Sequence, residues 1–96
     1  MLTGKQRSYL KSLANGIEAV VYIGKNELTE NILKEIDDYL SAHEIVKVKI
    51  QEGCLLEPKE TANEVARQLG AEFVQSIGRR FVLYRPTKDR RIELPK

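Results

Sequence analysis

The stretch "VVYIGKNELTENIL", residues 20–33, changes its pattern midway. With the two residues before it, its opening reads "EAVVYI", a β-branched and continuously apolar run that predicts a strand over 18–23. Gly24 breaks the run, and Lys25 and Asn26 follow. From there Leu28, Ile32, Leu33, Ile36, Tyr39 and Leu40 recur at spacings of three and four, which predicts an amphipathic helix over 28–42. A strand, a short glycine-containing turn and a helix start in succession make a geometry that can hold an anion, because free backbone N–H groups and the positive end of the helix dipole meet there. Glu27 puts a carboxylate into the same turn. The stretch therefore poses a question: does the turn hold a phosphate, or does it only join two elements?

The flanking sequence supplies the rest of the fold. Upstream, Thr3 and Gln6 have capping-box spacing, and Tyr9, Leu10, Leu13 and Ala14 form a short apolar stripe that stops at "NG", predicting a helix over 3–14. Downstream, "IVKVKI" alternates, with Val46, Val48 and Ile50 on one face and Lys47 and Lys49 on a wet, positive face. Pro58 suits a first helical turn, Ala62, Val65, Ala66 and Leu69 keep helical spacing, and Gly70 stands at a C-terminal cap, so a third helix is predicted over 58–69. "FVQSI" and "RFVLYR" are strand-like runs separated by Gly78 and Arg79, a pair compatible with a tight type II′ hairpin. The order is αβαβαββ: one α/β domain over 1–96, a four-stranded mixed sheet packed against helices, with the helices expected over one face. The pattern leaves strand order open.

Composition narrows the function. A chain of 96 residues fits one modest core. One cysteine, Cys54, excludes an intramolecular disulfide and the zinc patterns built on paired thiols. The longest apolar run, "AVVYI", falls far short of the ~20 residues a membrane span needs, and the N-terminus lacks a signal peptide's apolar region. A cytoplasmic protein without membrane association is expected. The net charge is only +2, but its distribution is uneven: residues 1–25 carry +3, residues 26–78 carry −6 and residues 79–96 carry +5. If folding brings the two ends together, a nearly neutral chain gains one positive face.

Catalytic chemistry is thin. His43, the only histidine, follows the last periodic turn of the second helix, where a positive side chain is favoured. Cys54 reads as a small, partly buried apolar residue. Glu57, Glu60 and Glu64 read as a solvated helix face rather than a metal site. Gly24–Lys25 is no P-loop, since Gly16 lies too far upstream and Asn26 stands where Ser or Thr would hold magnesium. No catalytic residue, metal, cofactor or small-molecule substrate is expected.

Three segments in order, "YIGKNELTENIL", "EIVKVKI" and "GAEFVQSIGRRFVLYRPTKDRRIELP", resemble the YhbY-type CRM domain, named for chloroplast RNA splicing and ribosome maturation, over nearly the whole chain. The resemblance implies a fold similar to the C-terminal domain of bacterial translation initiation factor 3. It also implies RNA binding and, in stand-alone bacterial members, association with precursors of the large ribosomal subunit. In that family the turn after the first strand reads G-x-x-G, a backbone clamp on RNA. Gly24, Lys25 and Asn26 match its first three positions, and Glu27 replaces the second glycine. The family's basic surface would gather Lys5, Arg7, Lys11, Lys25, Arg79, Arg80 and Arg85, with Lys88, Arg90 and Arg91 in the tail. Tyr22, Phe81 and Tyr84 are the aromatic candidates for base stacking, with Phe81 better suited to the core.

The expected function is that of a non-catalytic, monomeric RNA-binding protein whose partner is rRNA in large-subunit precursors. The alternative is a protein-interaction module whose acidic second and third helices meet a basic ribosomal protein.

Overall fold

The computed structural model describes residues 2–25 and 27–95. Their elements are α1 (Gly4–Ala14), β1 (Val21–Ile23), α2 (Glu30–His43), β2 (Ile45–Ile50), α3 (Pro58–Leu69), β3 (Glu72–Ile77) and β4 (Arg80–Tyr84), in the order αβαβαββ. Strands run β1-β2-β4-β3 across one sheet, with β1 and β2 parallel and the other neighbours antiparallel.

Cap chemistry sets the helix ends. In α1 the Thr3 hydroxyl accepts from the Gln6 N–H and the Gln6 side chain accepts from the Thr3 N–H, each at 3.1 Å, the reciprocal pair of a capping box. α2 starts at Glu30 rather than Leu28, because the Thr29 side chain accepts from the Ile32 N–H and so takes the cap position. Leu28 and Leu33, partly buried against the same core, occupy the flanking positions of a hydrophobic staple. α3 runs from Pro58 to Leu69 and is closed by left-handed Gly70. Regular β1 starts at Val21, later than the predicted 18, although the Val20 N–H still donates to the Lys47 carbonyl at 3.0 Å. Gly78 alone in the hairpin has positive φ, +60°, which fits the type II′ turn.

Helices cover both faces of the sheet, not one. α2 and α3 bury Val21, Ile23, Val46, Val48, Ile50, Phe81 and Leu83. On the opposite face Leu10 and Ala14 of α1, with Ile92 and Leu94 of the C-terminal segment, pack on Ile45, Val74, Val82 and Tyr84. The cause lies in β4: it is a central strand in which Phe81, Val82, Leu83 and Tyr84 are all buried, so apolar side chains on both its faces need cover. Tyr84 is thus core, with its hydroxyl shielded and unpartnered among the described residues. Burial, reinforced by the Glu44 charge, raises its pKa.

Glu44 ties the second layer down. It caps α2 in a left-handed conformation, φ +70°, and has no exposed surface. Its carboxylate accepts from the Thr87 N–H, the Thr87 hydroxyl and the Ile92 N–H, each at 2.7 Å, which holds the C-terminal segment beside α1. Burial opposes its charge, but these hydrogen bonds outweigh burial and keep the carboxyl below its ordinary 4.5. The basic ends of the chain therefore share one side of the sheet, and the Gln6 side chain donates to the Pro95 carbonyl across them.

Candidate nucleic-acid interface

α1 covers only part of its face. The uncovered part lies where β1 and β2 end and β4 begins, and the strand register fixes its content. Tyr22 pairs with Lys49, Lys49 with Arg80, and Arg80 with Ile77, so one side chain from each strand forms a single row across the sheet. Tyr22 is 49% exposed and Ile77 63% exposed, Arg80 is exposed, and Lys49 is half-buried. The next row holds Lys47, Val82 and Gln75. Lys47 donates to the Ile17 carbonyl at 2.9 Å, a part-buried bond that ties its ammonium to the segment after α1. Two depressions of about 350 and 220 Å³ meet at Lys47 and Arg80; the first reaches Tyr22 and Lys49, the second Gln75 and Ile77.

The turn of residues 24–27 projects from this same end of the sheet. It is closed by the Glu27 N–H donating to the Gly24 carbonyl at 2.9 Å. Lys25 is exposed, and Asn26 lies outside the described residues. Glu27 has φ +60°, the left-handed conformation that glycine adopts without strain and glutamate does not. Leu28 and Thr29 separate the turn from the first residue of α2, and Thr29 already occupies one of that helix's free N–H groups. At Gly24 a Cβ would lie 3.1 Å from the Gln51 side chain, a flexible neighbour.

The other sequence-predicted cations divide into two kinds. Arg79 is a structural clamp: its guanidinium donates to the carbonyls of Ile50 at 2.9 Å and of Gln51 and Cys54 at 3.0 Å, pinning the β2–α3 loop. Arg85 is another. It lies on the α2/α3 side, donating to the Asp37 carboxylate at 2.7 Å, the Leu69 carbonyl at 2.8 Å and the Ser41 hydroxyl at 2.9 Å. Neither guanidinium joins the open face. Arg7 and Lys11 of α1 and Lys59 of α3 instead flank a groove of about 820 Å³ along the outer edge of β3, with the Arg7 Nε shielded and unpartnered among the described residues. Lys5 is exposed on α1.

Lys47, Lys49 and Ile77 were not among the sequence-selected binding residues. Alternation in "IVKVKI" had put both lysines on a wet face, but only the β2–β4 register brings Arg80 beside Lys49. On the far side, three acids are paired, Asp38 with Lys34 at 3.1 Å, Asp37 with Arg85, and Glu64 with Arg67 and Gln68, while Glu30, Glu35 and Glu60 have no ion-pair partner among the described residues. The Glu64 carboxyl is held low by its bonds to Arg67 and Gln68. Among the described residues no cluster of His, Cys, Asp and Glu could hold a metal ion, and no helix is long and apolar enough to cross a membrane.

Fold and site together define a small α/β domain with an acidic helical layer and an open sheet face carrying cations and one exposed aromatic ring. The chain belongs to the CRS1/YhbY (CRM) domain family, whose profile matches residues 2–85. It is 43% identical to a Haemophilus influenzae protein named "RNA-binding protein", over 99% of this chain and 96% of the relative. It is 34% identical to the Bacillus subtilis protein named "Probable RNA-binding protein YqeI", over 99% and 100%. A solution structure from Staphylococcus aureus, described as that of a candidate RNA-binding protein, shares 43% identity and superposes with a TM-score of 0.83 over 99% of this chain and all of its own.

Proposed function

We propose that this chain is a non-catalytic RNA-binding protein that associates with rRNA in precursors of the large ribosomal subunit. The observation that carries RNA binding is the row Tyr22–Lys49–Arg80–Ile77, with exposed Lys25 in the turn at the same end: cations with no ion-pair partner among the described residues, on the part of the sheet face that α1 leaves open, where Glu18 is the carboxylate that lines the first depression. Lysine and arginine on such a face engage phosphates, and the turn's backbone can approach the same strand. Family membership and the names of the relatives support the same reading. Association with large-subunit precursors rests on the resemblance alone, and a cytoplasmic location is part of the same proposal.

The alternative is docking of the acidic helices on a basic protein: Asp37, Asp38 and Glu64 are paired within the fold, whereas Glu30, Glu35 and Glu60 have no ion-pair partner among the described residues, and such docking would survive ribonuclease. The test is sedimentation of the tagged protein in lysate. Co-migration with large-subunit precursors that is abolished by ribonuclease supports the proposal. Migration at the top of the gradient, or co-migration insensitive to ribonuclease, refutes it.

A further inference from the structure

We infer that the open row reads an unpaired RNA segment, laid across the sheet with a base stacked on Tyr22, rather than the outside of a duplex; this rests on the RNA-binding reading above. The row has two chemistries. Its middle members, Lys49 and Arg80, are charged and suit phosphates, but its ends, Tyr22 and Ile77, are the two exposed large hydrophobics that flank them. A duplex keeps its base faces inside its own stack and offers a protein phosphates and ribose hydroxyls, so it would leave both apolar ends in water. An unpaired segment offers base faces to the ends and phosphates to the middle.

The geometry of Tyr22 supports this role. Its hydroxyl donates to the Ala19 carbonyl at 3.1 Å, an exposed hydrogen bond that favours one placement of the ring beside the first depression. Part of the rotamer freedom lost on stacking is thereby already given up in the free protein. At the other end Ile77 borders the second depression, and Arg80, shared by both, can place its planar guanidinium against a base or its charge on a phosphate. Neighbouring strands are about 4.8 Å apart, so the row spans on the order of 15 Å, the reach of a short extended segment.

The experiment compares a single-stranded oligouridylate with an RNA hairpin stem of equal length, using full-length protein, Tyr22→Ala, Tyr22→Phe and Ile77→Ala. Binding is followed by fluorescence anisotropy of labelled RNA, and thermal unfolding confirms that each variant folds. The expected result is preference for the single strand, a loss on the order of tenfold in Tyr22→Ala, consistent with the stacking energy of one base, a smaller loss in Ile77→Ala, and a small loss in Tyr22→Phe, which keeps the ring but not its hydrogen bond to Ala19. Equal or tighter binding of the stem, with Tyr22→Ala unaffected, would overturn this inference and leave RNA binding standing. Binding of neither RNA would overturn both.

Discussion

Arg79 and Arg80 are adjacent in sequence and alike in charge, yet Arg79 is bonded to backbone carbonyls and Arg80 faces solvent, and under the proposed function alanine at each should separate fold from binding. Truncating Arg79 removes donors from three carbonyls of the β2–α3 segment, on Ile50, Gln51 and Cys54. Hydrogen bonds from a charged donor contribute roughly 1.5–3 kcal/mol each when enclosed and much less when water can replace them. The bonds to Ile50 and Cys54 are part-buried and that to Gln51 is exposed, so a net loss of about 2–3 kcal/mol is expected, with a fall in Tm of ~10–20 °C for a domain of this size. Arg79→Lys keeps the charge, but a single ammonium cannot span three carbonyls, so it should lose most of the same stability. Arg80→Ala, at an exposed position with no partner among the described residues, should stay within ~0.5 kcal/mol of wild type and weaken RNA binding by about tenfold, equivalent to ~1.4 kcal/mol. Urea unfolding by circular dichroism and RNA anisotropy at one fixed salt concentration read the two effects separately. If Arg79→Ala unfolds like wild type while losing RNA affinity as Arg80→Ala does, the clamp assignment is wrong.

Glu27→Gly should raise stability by about 0.5–1 kcal/mol, because relief of left-handed strain, roughly 1–2 kcal/mol, exceeds the added freedom of glycine in the unfolded chain. Glu27→Gln should leave stability unchanged and tighten RNA binding less than Glu27→Gly does. Equal or weaker RNA binding in both, measured at low salt, would make the turn a connector. For Glu44 the folded pKa is depressed, so its contribution is complete above the ordinary 4.5 and is lost as pH falls through the lower folded value. Glu44→Gln should therefore be less stable than wild type near neutrality, and the difference should shrink in the window below pH 4.5, as the pH falls through the lower folded value and the wild-type carboxylate is protonated. A constant difference across that window in urea midpoints would refute the account.

The elements that could be read from sequence are those whose ends are written in local chemistry. Pro58 and Gly70 bracket α3, Thr3 and Gln6 announce α1, and alternation in "IVKVKI" gives both the extent of β2 and its wet face. The insertion of β4 between β2 and β3 was not legible locally, since strand order depends on long-range pairing. Its trace lay in "FVLY", an apolar run too continuous for a strand with one wet face. The start of α2 was misjudged because Leu28 fits the helical period although it packs as the residue before the cap. Arg79 and Arg85 were assigned to RNA because a guanidinium that serves carbonyls looks, in a sequence, the same as one that faces solvent. Glu44 escaped notice for the converse reason: a carboxylate beside "IVKVKI" reads as surface until the C-terminal segment folds over it.

A net charge of +2 by itself gives only a weak attraction for a polyanion, and dimensions decide whether net charge or local charge governs binding. The molecule measures 40 × 24 × 21 Å, so the outer surfaces of its layers are separated by about twice the ~10 Å screening length at 0.1 M salt. An RNA on the sheet face then engages Lys25, Lys47, Lys49 and Arg80, with Glu18 lining the same depression and Glu27 in the same turn, while the acids of α2 and α3 are screened from it. The logarithm of the binding constant for single-stranded RNA falls against the logarithm of salt with a slope of about −0.7 per phosphate neutralised. Engagement through these four cations predicts a slope near −3, and a molecule acting through its net charge would give about −1.4. Each cation removed from the face should reduce the slope by about 0.7, whereas Arg79→Lys and Arg85→Lys should not change it. A wild-type slope near −1.4, or equal changes from Arg80→Ala and Arg85→Ala in variants shown to be folded, would mean that RNA does not engage this face.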